Sequence, residues 1–170
     1  MGPEKEGLSS KPIMDNYNKV ADEFTEKVVQ VNRVSKKTKG GNRRGFSVLV
    51  VVGDKKGRVG VGLGKAPDVT AAVKKAVSYA RKHLITVAMR KSTITHEIRI
   101  KLGAAEVLLK PAPEGSGVIA GGAVRAVVSA AGIKDISSKV MGTKNQASNV
   151  YATLEGLKRL RRINGSSSIT

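Results

Sequence analysis

The chain has 170 residues, enough for one ordinary domain or two small ones, and 31 Lys and Arg against 13 Asp and Glu, a formal charge of +18. A charge of that sign and size points to a polyanionic partner, with nucleic acid before an anionic membrane. The absence of cysteine rules out disulfide frameworks and cysteine-based metal sites. An apolar content of 40% supports a packed core.

Residues 1–22 are polar and without a sustained period, and read as a flexible extension. Their acids and the lack of an apolar stretch speak against a signal peptide. A short helical turn is expected near Asp22, where Phe24 and Val28 stand four apart, and an extended pattern begins at Val29. Val31–Arg44 then forms the most distinctive stretch: three lysines, a turn on Gly40 and Gly41, and an exit through Arg43 and Arg44. It reads as a basic finger that reaches along phosphate backbones, with glycine at the tip for its backbone freedom. The strand Phe46–Val52 follows, then a turn Gly53–Gly57 with Lys55 and Lys56 at its tip. The next strand, Arg58–Gly64, puts Val59, Val61 and Leu63 on one face and glycines on the other, which leaves room for another backbone. Asp68 or Thr70 caps a helix whose stripe is Val69, Ala72, Val73, Ala76, Val77, Ala80 and Leu84. Lys74, Lys75, Arg81 and Lys82 lie on its opposite side, with no acids four residues away to balance them.

Residues 88–92 read as a linker. A half-buried strand is expected over Ile94–Leu102, a turn at Gly103, a strand over Glu106–Lys110, and a glycine-rich loop leading to Gly121 and Gly122. A small apolar helix Ala123–Ala131, a strand Ile133–Val140 and a helix from about Gln146 to Leu160 complete the pattern, with 164–170 as a flexible tail. The fold class is α+β: one small α/β domain over 23–87 and a second, with a sheet and two helices, over 93–163.

Charge is concentrated. Residues 28–92 hold sixteen bases and two acids, a net of +14. Aromatics are limited to Tyr17, Phe24, Phe46, Tyr79 and Tyr151, which favours recognition of RNA through backbone charge and shape over stacking on an aromatic sheet. Arg33, Lys36, Lys37, Lys39, Asn42, Arg43 and Arg44 are the leading RNA contacts, shaped by Gly40 and Gly41. Lys55, Lys56, Arg58 and Lys65 come second, and the helix cations Lys74, Lys75, Arg81 and Lys82 third.

Catalytic readings find little support. Gly115-x-Gly117-x-x-Ala120 with Asp135 twenty residues on matches a loose dinucleotide fingerprint, but repeated βαβ units are missing. The glycines Gly115, Gly117, Gly121 and Gly122, with Arg125, read instead as a surface for packing against a neighbouring protein. His83 and His96 are the only histidines, His96 on a strand face as a hydrogen-bonded residue, and neither belongs to a metal cluster. No cofactor and no enzymatic activity are expected. A free-standing double-stranded-RNA-binding module and an RNA-binding protein docked in a larger assembly both fit this picture, and the docking surface favours the second.

The segments Val31-Asn-Arg-Val-Ser-Lys, Lys39-Gly-Gly, Val51-Val-Gly-Asp, Gly57-Arg-Val-Gly, Gly64-Lys-Ala, Pro111-Ala, Glu114-Gly-Ser-Gly and Ile119-Ala-Gly-Gly-Ala resemble, in order, the family of bacterial-type small ribosomal subunit protein number five. The resemblance implies a double-stranded-RNA-binding-like first domain whose finger, Ser35–Arg44, lies in ribosomal RNA of the subunit head and neck. It implies a second domain docked on small-subunit proteins four and eight, an influence on decoding accuracy, and a place beside the path along which mRNA enters. It sets Lys39, Gly40 and Gly41 beside the spectinomycin site. An arginine is usual where Tyr151 stands, so no RNA role passes to Tyr151. The implied location is the ribosome, cytoplasmic or organellar, with no membrane and no small-molecule substrate.

Overall fold

The computed structural model describes residues 24–161. The expected N-terminal extension and C-terminal tail lie outside them. Thr25–Thr38 forms β1, Gly41–Gly53 β2, Arg58–Ala66 β3 and Val69–Lys82 the helix α1, followed by β4 at Ile85–Thr86. These four strands make one antiparallel sheet in the order β1-β2-β3-β4. The helical turn expected across Phe24–Val28 does not form. Thr25–Val28 pairs with Val50–Gly53 as the first rungs of β1, so sheet hydrogen bonding overrides the local i, i+4 pair.

Alternation along β2 decides what lies on each face. Val48, Val50 and Val52 point toward α1 and form a buried cluster with Ala72, Ala76, Val77 and Ala80. On the same face β3 presents Gly60, Gly62 and Gly64. A Cβ at these positions would run into the carbonyl oxygens of Ala80, Ala76 and Ala72 respectively. The glycines therefore let the helix backbone lie directly on the strand, as the glycine face of the sequence suggested. The Asp68 carboxylate caps α1 by accepting a hydrogen bond from the Thr70 N–H at 3.2 Å.

The opposite face of the sheet, with Leu49, Val51, Val59 and Val61, belongs to a second, larger core cluster. Its other members come from the rest of the chain: β5 (Met89–Arg90), β6 (Thr93–Ile94), β7 (Ile98–Leu102), β8 (Ala105–Pro111), β9 (Val118–Ile119), α2 (Gly122–Ala131), β10 (Ile136–Val140) and α3 (Gln146–Arg159). The second sheet has the order β7-β8-β10-β9, antiparallel except where β10 meets β9. Helices α2 and α3 pack against each other and lie between the two sheets. Val124, Val127, Val128 and Ala131 of α2 and Val150 and Leu157 of α3 are fully buried in this cluster. The two halves thus share a core, and one face of the first sheet is covered by helices of the second half.

Three expected elements take a different form. Residues 88–92 are not an open connector: Met89–Arg90 pairs with Thr93–Ile94 as a hairpin, and Val87, Ala88 and Ile94 are buried. The strand expected over Ile94–Leu102 is broken at 95–97, because Ile94 pairs with Met89 while Ile98 pairs with Leu109 in the other sheet. His96 occupies the bend. Its Nδ1 lies 2.8 Å from the Glu97 carbonyl oxygen, and its Nε2 accepts from the Arg161 N–H at 3.2 Å. The strand expected from Ile133 begins only at Ile136, since the Lys134 and Asp135 N–H groups donate to the Ser92 carbonyl.

The joint between the halves is the loop 54–57. Its Lys55 and Gly57 N–H groups donate to the carbonyls of Ala130 and Ala131 at the end of α2, at 3.0 and 2.9 Å. Gly132 closes α2 at φ 88°, and a Cβ there would collide with the Lys55 carbonyl oxygen. Only glycine satisfies both the left-handed backbone and the close approach.

Candidate nucleic-acid interface

The β1–β2 hairpin keeps its register from Thr25↔Gly53 to Thr38↔Gly41, with one irregularity between Val28 and Gln30. Its turn is therefore Lys39-Gly40, one residue earlier than the sequence suggested. The flanking basic residues belong to the strands. The Thr38 hydroxyl donates to the Gly41 carbonyl at 2.8 Å and closes the turn, with Gly41 at φ 125°.

From Val31 to Arg44 every residue is exposed. The eight strand residues 31–38 correspond to an extended reach of roughly 25 Å. Pairing assigns the side chains to faces. Arg33 and Lys37 of β1 share the α1 side with Arg44, Asn42 and Phe46 of β2. Lys36 and Arg43 sit directly opposite each other on the other side. Like charges directly across a sheet repel. None of Arg33, Lys36, Lys37, Lys39, Arg43 and Arg44 forms a salt bridge with another described residue. The ribbon thus carries uncompensated positive charge on both faces and at its tip.

The other predicted contacts divide by position. Lys65 is exposed at the root of the ribbon, paired in register with Ser47. Lys74, Lys75 and Lys82 are exposed on α1, on the same side of the sheet as Arg33, Lys37 and Arg44. Arg81 is engaged elsewhere, its guanidinium 2.8 Å from Glu26 of β1. This balancing carboxylate lies 55 residues away in sequence, so no search at helical spacing finds it.

Lys55, Lys56 and Arg58 lie at the far end of β2, its 13 residues or roughly 40 Å from the tip, and do not join the ribbon patch. Arg58 holds the loop together. Its Nε is 2.7 Å from Asp54 Oδ2, and its guanidinium lies 5.3 Å from the Phe24 ring centroid. Asp54 is buried and also accepts from the N–H groups of Lys56 and Arg58, at 2.8 and 2.9 Å. Burial pushes its carboxyl up, and the hydrogen bonds and charge of Arg58 with the Lys56 N–H together outweigh that, leaving it below the ordinary carboxylate value.

The glycine loop has a different logic from a nucleotide site. Gly115 and Gly117 take φ of 88° and 71°, and their N–H groups both donate to Asp135 Oδ1 at 3.0 and 2.9 Å. The acid that a dinucleotide fold would turn to a ribose is thus spent on the loop itself. Gly121 and Gly122 are exposed at the start of α2, and the Arg125 guanidinium donates to the Val118 carbonyl at 2.9 Å. The alanines and valines of α2 are buried inside the chain. What is left outward is the loop, Ile119 at 60% exposure, the two glycines and Arg125. No group of His, Cys, Asp and Glu suited to a metal occurs among the described residues.

Residues 24–88 match the family model described as ribosomal protein S5, N-terminal domain, and residues 100–167 match that described as ribosomal protein S5, C-terminal domain. The chain belongs to the ribosomal protein S5 family. Membership makes it an RNA-binding protein of translation, a structural constituent of the ribosome with ribosomal RNA and ribosomal proteins as partners, and not an enzyme. The two S5 matches fall on mixed α/β segments: 24–88 holds the first sheet and α1, and 100–167 holds most of the second sheet with α2 and α3. Among the described residues no helix is long and apolar enough to cross a membrane.

Proposed function

We propose that the β1–β2 ribbon enters ribosomal RNA of the small subunit and holds phosphates on both sides, through Arg33, Lys37 and Arg44 on one face and Lys36 and Arg43 on the other, with Lys39 at the turn. The observation that carries this reading is the set of six ribbon cations without a salt bridge to another described residue. Their mutual repulsion is relieved by phosphate and by little else. Lys65 at the root and Lys74 and Lys75 on α1 extend the same basic surface. An antiparallel β1-β2-β3 sheet followed by a helix on one face supports a double-stranded-RNA-binding-like unit over 23–87, and a second unit over 93–163 serves as the docking half. Its exposed glycine loop, with Gly121, Gly122 and Arg125, is the surface offered to small-subunit proteins four and eight. In that position the protein borders the path along which mRNA enters and influences decoding accuracy.

The test is a salt titration of binding to small-subunit ribosomal RNA, combined with sedimentation of the protein with the subunit. Each phosphate contact contributes about 0.7–0.9 to the slope of log K against log salt. Lys36→Ala with Arg43→Ala should therefore lower it by about 1.5 without lowering thermal stability. An unchanged slope, or a protein that sediments free of the subunit, sinks the proposal.

A further inference from the structure

The exposed side of α1 carries chemistry that the ribbon does not use. Tyr79 and His83, one turn apart, stack with ring centroids 4.2 Å apart and planes at 24°. His83 Nδ1 lies 2.9 Å from the Tyr79 carbonyl oxygen, which fixes the imidazole against the phenol. Neither ring is needed by the core: Tyr79 is 49% exposed and His83 is exposed as well. Lys75 stands one turn before Tyr79 and Lys82 nearly one turn after it. Both are exposed, and neither is in a salt bridge with another described residue. The helix contains no Asp or Glu. The seven-residue step from Lys75 to Lys82 spans about 10 Å of helix axis, with Tyr79 between them and His83 directly after Lys82.

A Tyr–His pair at this spacing steadies an isolated helix slightly, but that role does not call for an acid-free cationic surround. Aromatic rings set among lysines are how proteins hold unpaired bases, because every base offers a π-face and every nucleotide a phosphate. We infer that Tyr79 and His83 form a stacking platform for an unpaired base of the ribosomal RNA, with Lys75 and Lys82 on the phosphates that flank it. This rests on the reading that the first half of the chain faces ribosomal RNA. It adds a contact that is aromatic where the ribbon's are electrostatic.

The test uses the full-length protein assembled into small subunits and dimethyl sulfate as a probe of unpaired adenine and cytosine, with hydroxyl radicals as a probe of the backbone. Wild type and Tyr79→Phe should protect the same base or bases. Tyr79→Leu should lose that protection, while backbone protection at the ribbon persists. In solution Tyr79→Leu should weaken RNA binding roughly 5- to 150-fold at an unchanged salt slope, and Lys75→Ala with Lys82→Ala should lower the slope by about 1.5. Identical base reactivity in all variants, with the ribbon's backbone protections intact, overturns this inference alone. So does a photocrosslinker at position 79 that captures a protein and no RNA. Loss of every protection in the wild type overturns the ribbon reading and this one together.

Discussion

Gly62 offers a sharp test of how this fold is built. A Cβ at this position meets the Ala76 carbonyl oxygen directly, with the Ala76 carbonyl carbon at 2.9 Å and the Ala80 nitrogen at 3.0 Å. All three are backbone atoms, so no rotamer change relieves the contact. Restoring ordinary separations of about 3.5 Å requires α1 to rise by roughly half an ångström against the carbon and nitrogen, and further against the oxygen. A lifted helix loosens Val48, Val50 and Val52 from Ala72, Ala76 and Ala80, all of them buried. Overpacking of this kind costs about 1–3 kcal/mol, and the absence of any flexible neighbour places Gly62→Ala near about 3 kcal/mol. For a chain of this size that lowers the thermal midpoint by about 10 °C. The chain has no Trp, so far-UV circular dichroism during heating and urea unfolding is the appropriate signal. Gly40→Ala is the control: nothing lies within 4 Å of its Cβ, and its stability should stay within about 0.5 kcal/mol of wild type. If Gly62→Ala unfolds at the same midpoint as Gly40→Ala, the close packing of α1 on the glycine face of β3 is wrong.

Two further substitutions probe the joint between the halves. Asp54→Asn should cost about 1–2 kcal/mol, since it removes the charge that Arg58 answers, while solvent screens a guanidinium side chain 46% exposed. Because the folded carboxyl titrates below its ordinary value, the unfolded chain takes up the proton first as pH falls. The wild-type advantage over Asp54→Asn should be complete above about pH 4 and shrink below it. A gap between their thermal midpoints that stays constant across that range contradicts the assignment. Gly132→Ala should cost about 3 kcal/mol, from a left-handed backbone and a collision with the Lys55 carbonyl. Gly117→Ala has the left-handed backbone at φ 71° with nothing within 4 Å, and should cost only about 1 kcal/mol. Equal costs for the two would mean that α2 and the loop 54–57 are not tightly docked.

Much of this protein is legible in local pattern. The apolar run Phe46–Val52, the 3.6-residue stripe of α1 with a cap at Asp68 or Thr70, and Gly132 after the small helix are short-range signals, and the fold has a strand, a helix capped by Asp68 and a helix end at those places. The glycine face of β3 announced a close backbone neighbour, and the charge of residues 28–92 announced a polyanion. The sequence by itself therefore determined the periodic elements and the class of partner. Tertiary structure decided what these elements do to one another. Long-range pairing drew charged residues into β1 and β2 and moved the turn to Lys39-Gly40, since a hairpin's register is set by both strands and not by its tip. Packing turned the linker into a hairpin and placed the valines and alanines of α2 in a core common to both halves, where apolar pattern alone does not say which surface will cover it. It also set Glu26 on Arg81, Asp54 on Arg58 and Asp135 on Gly115 and Gly117. The first and last of these join residues far apart in sequence. A cation or a carboxylate is free or committed only by virtue of its neighbours in space, and no spacing along the chain records them.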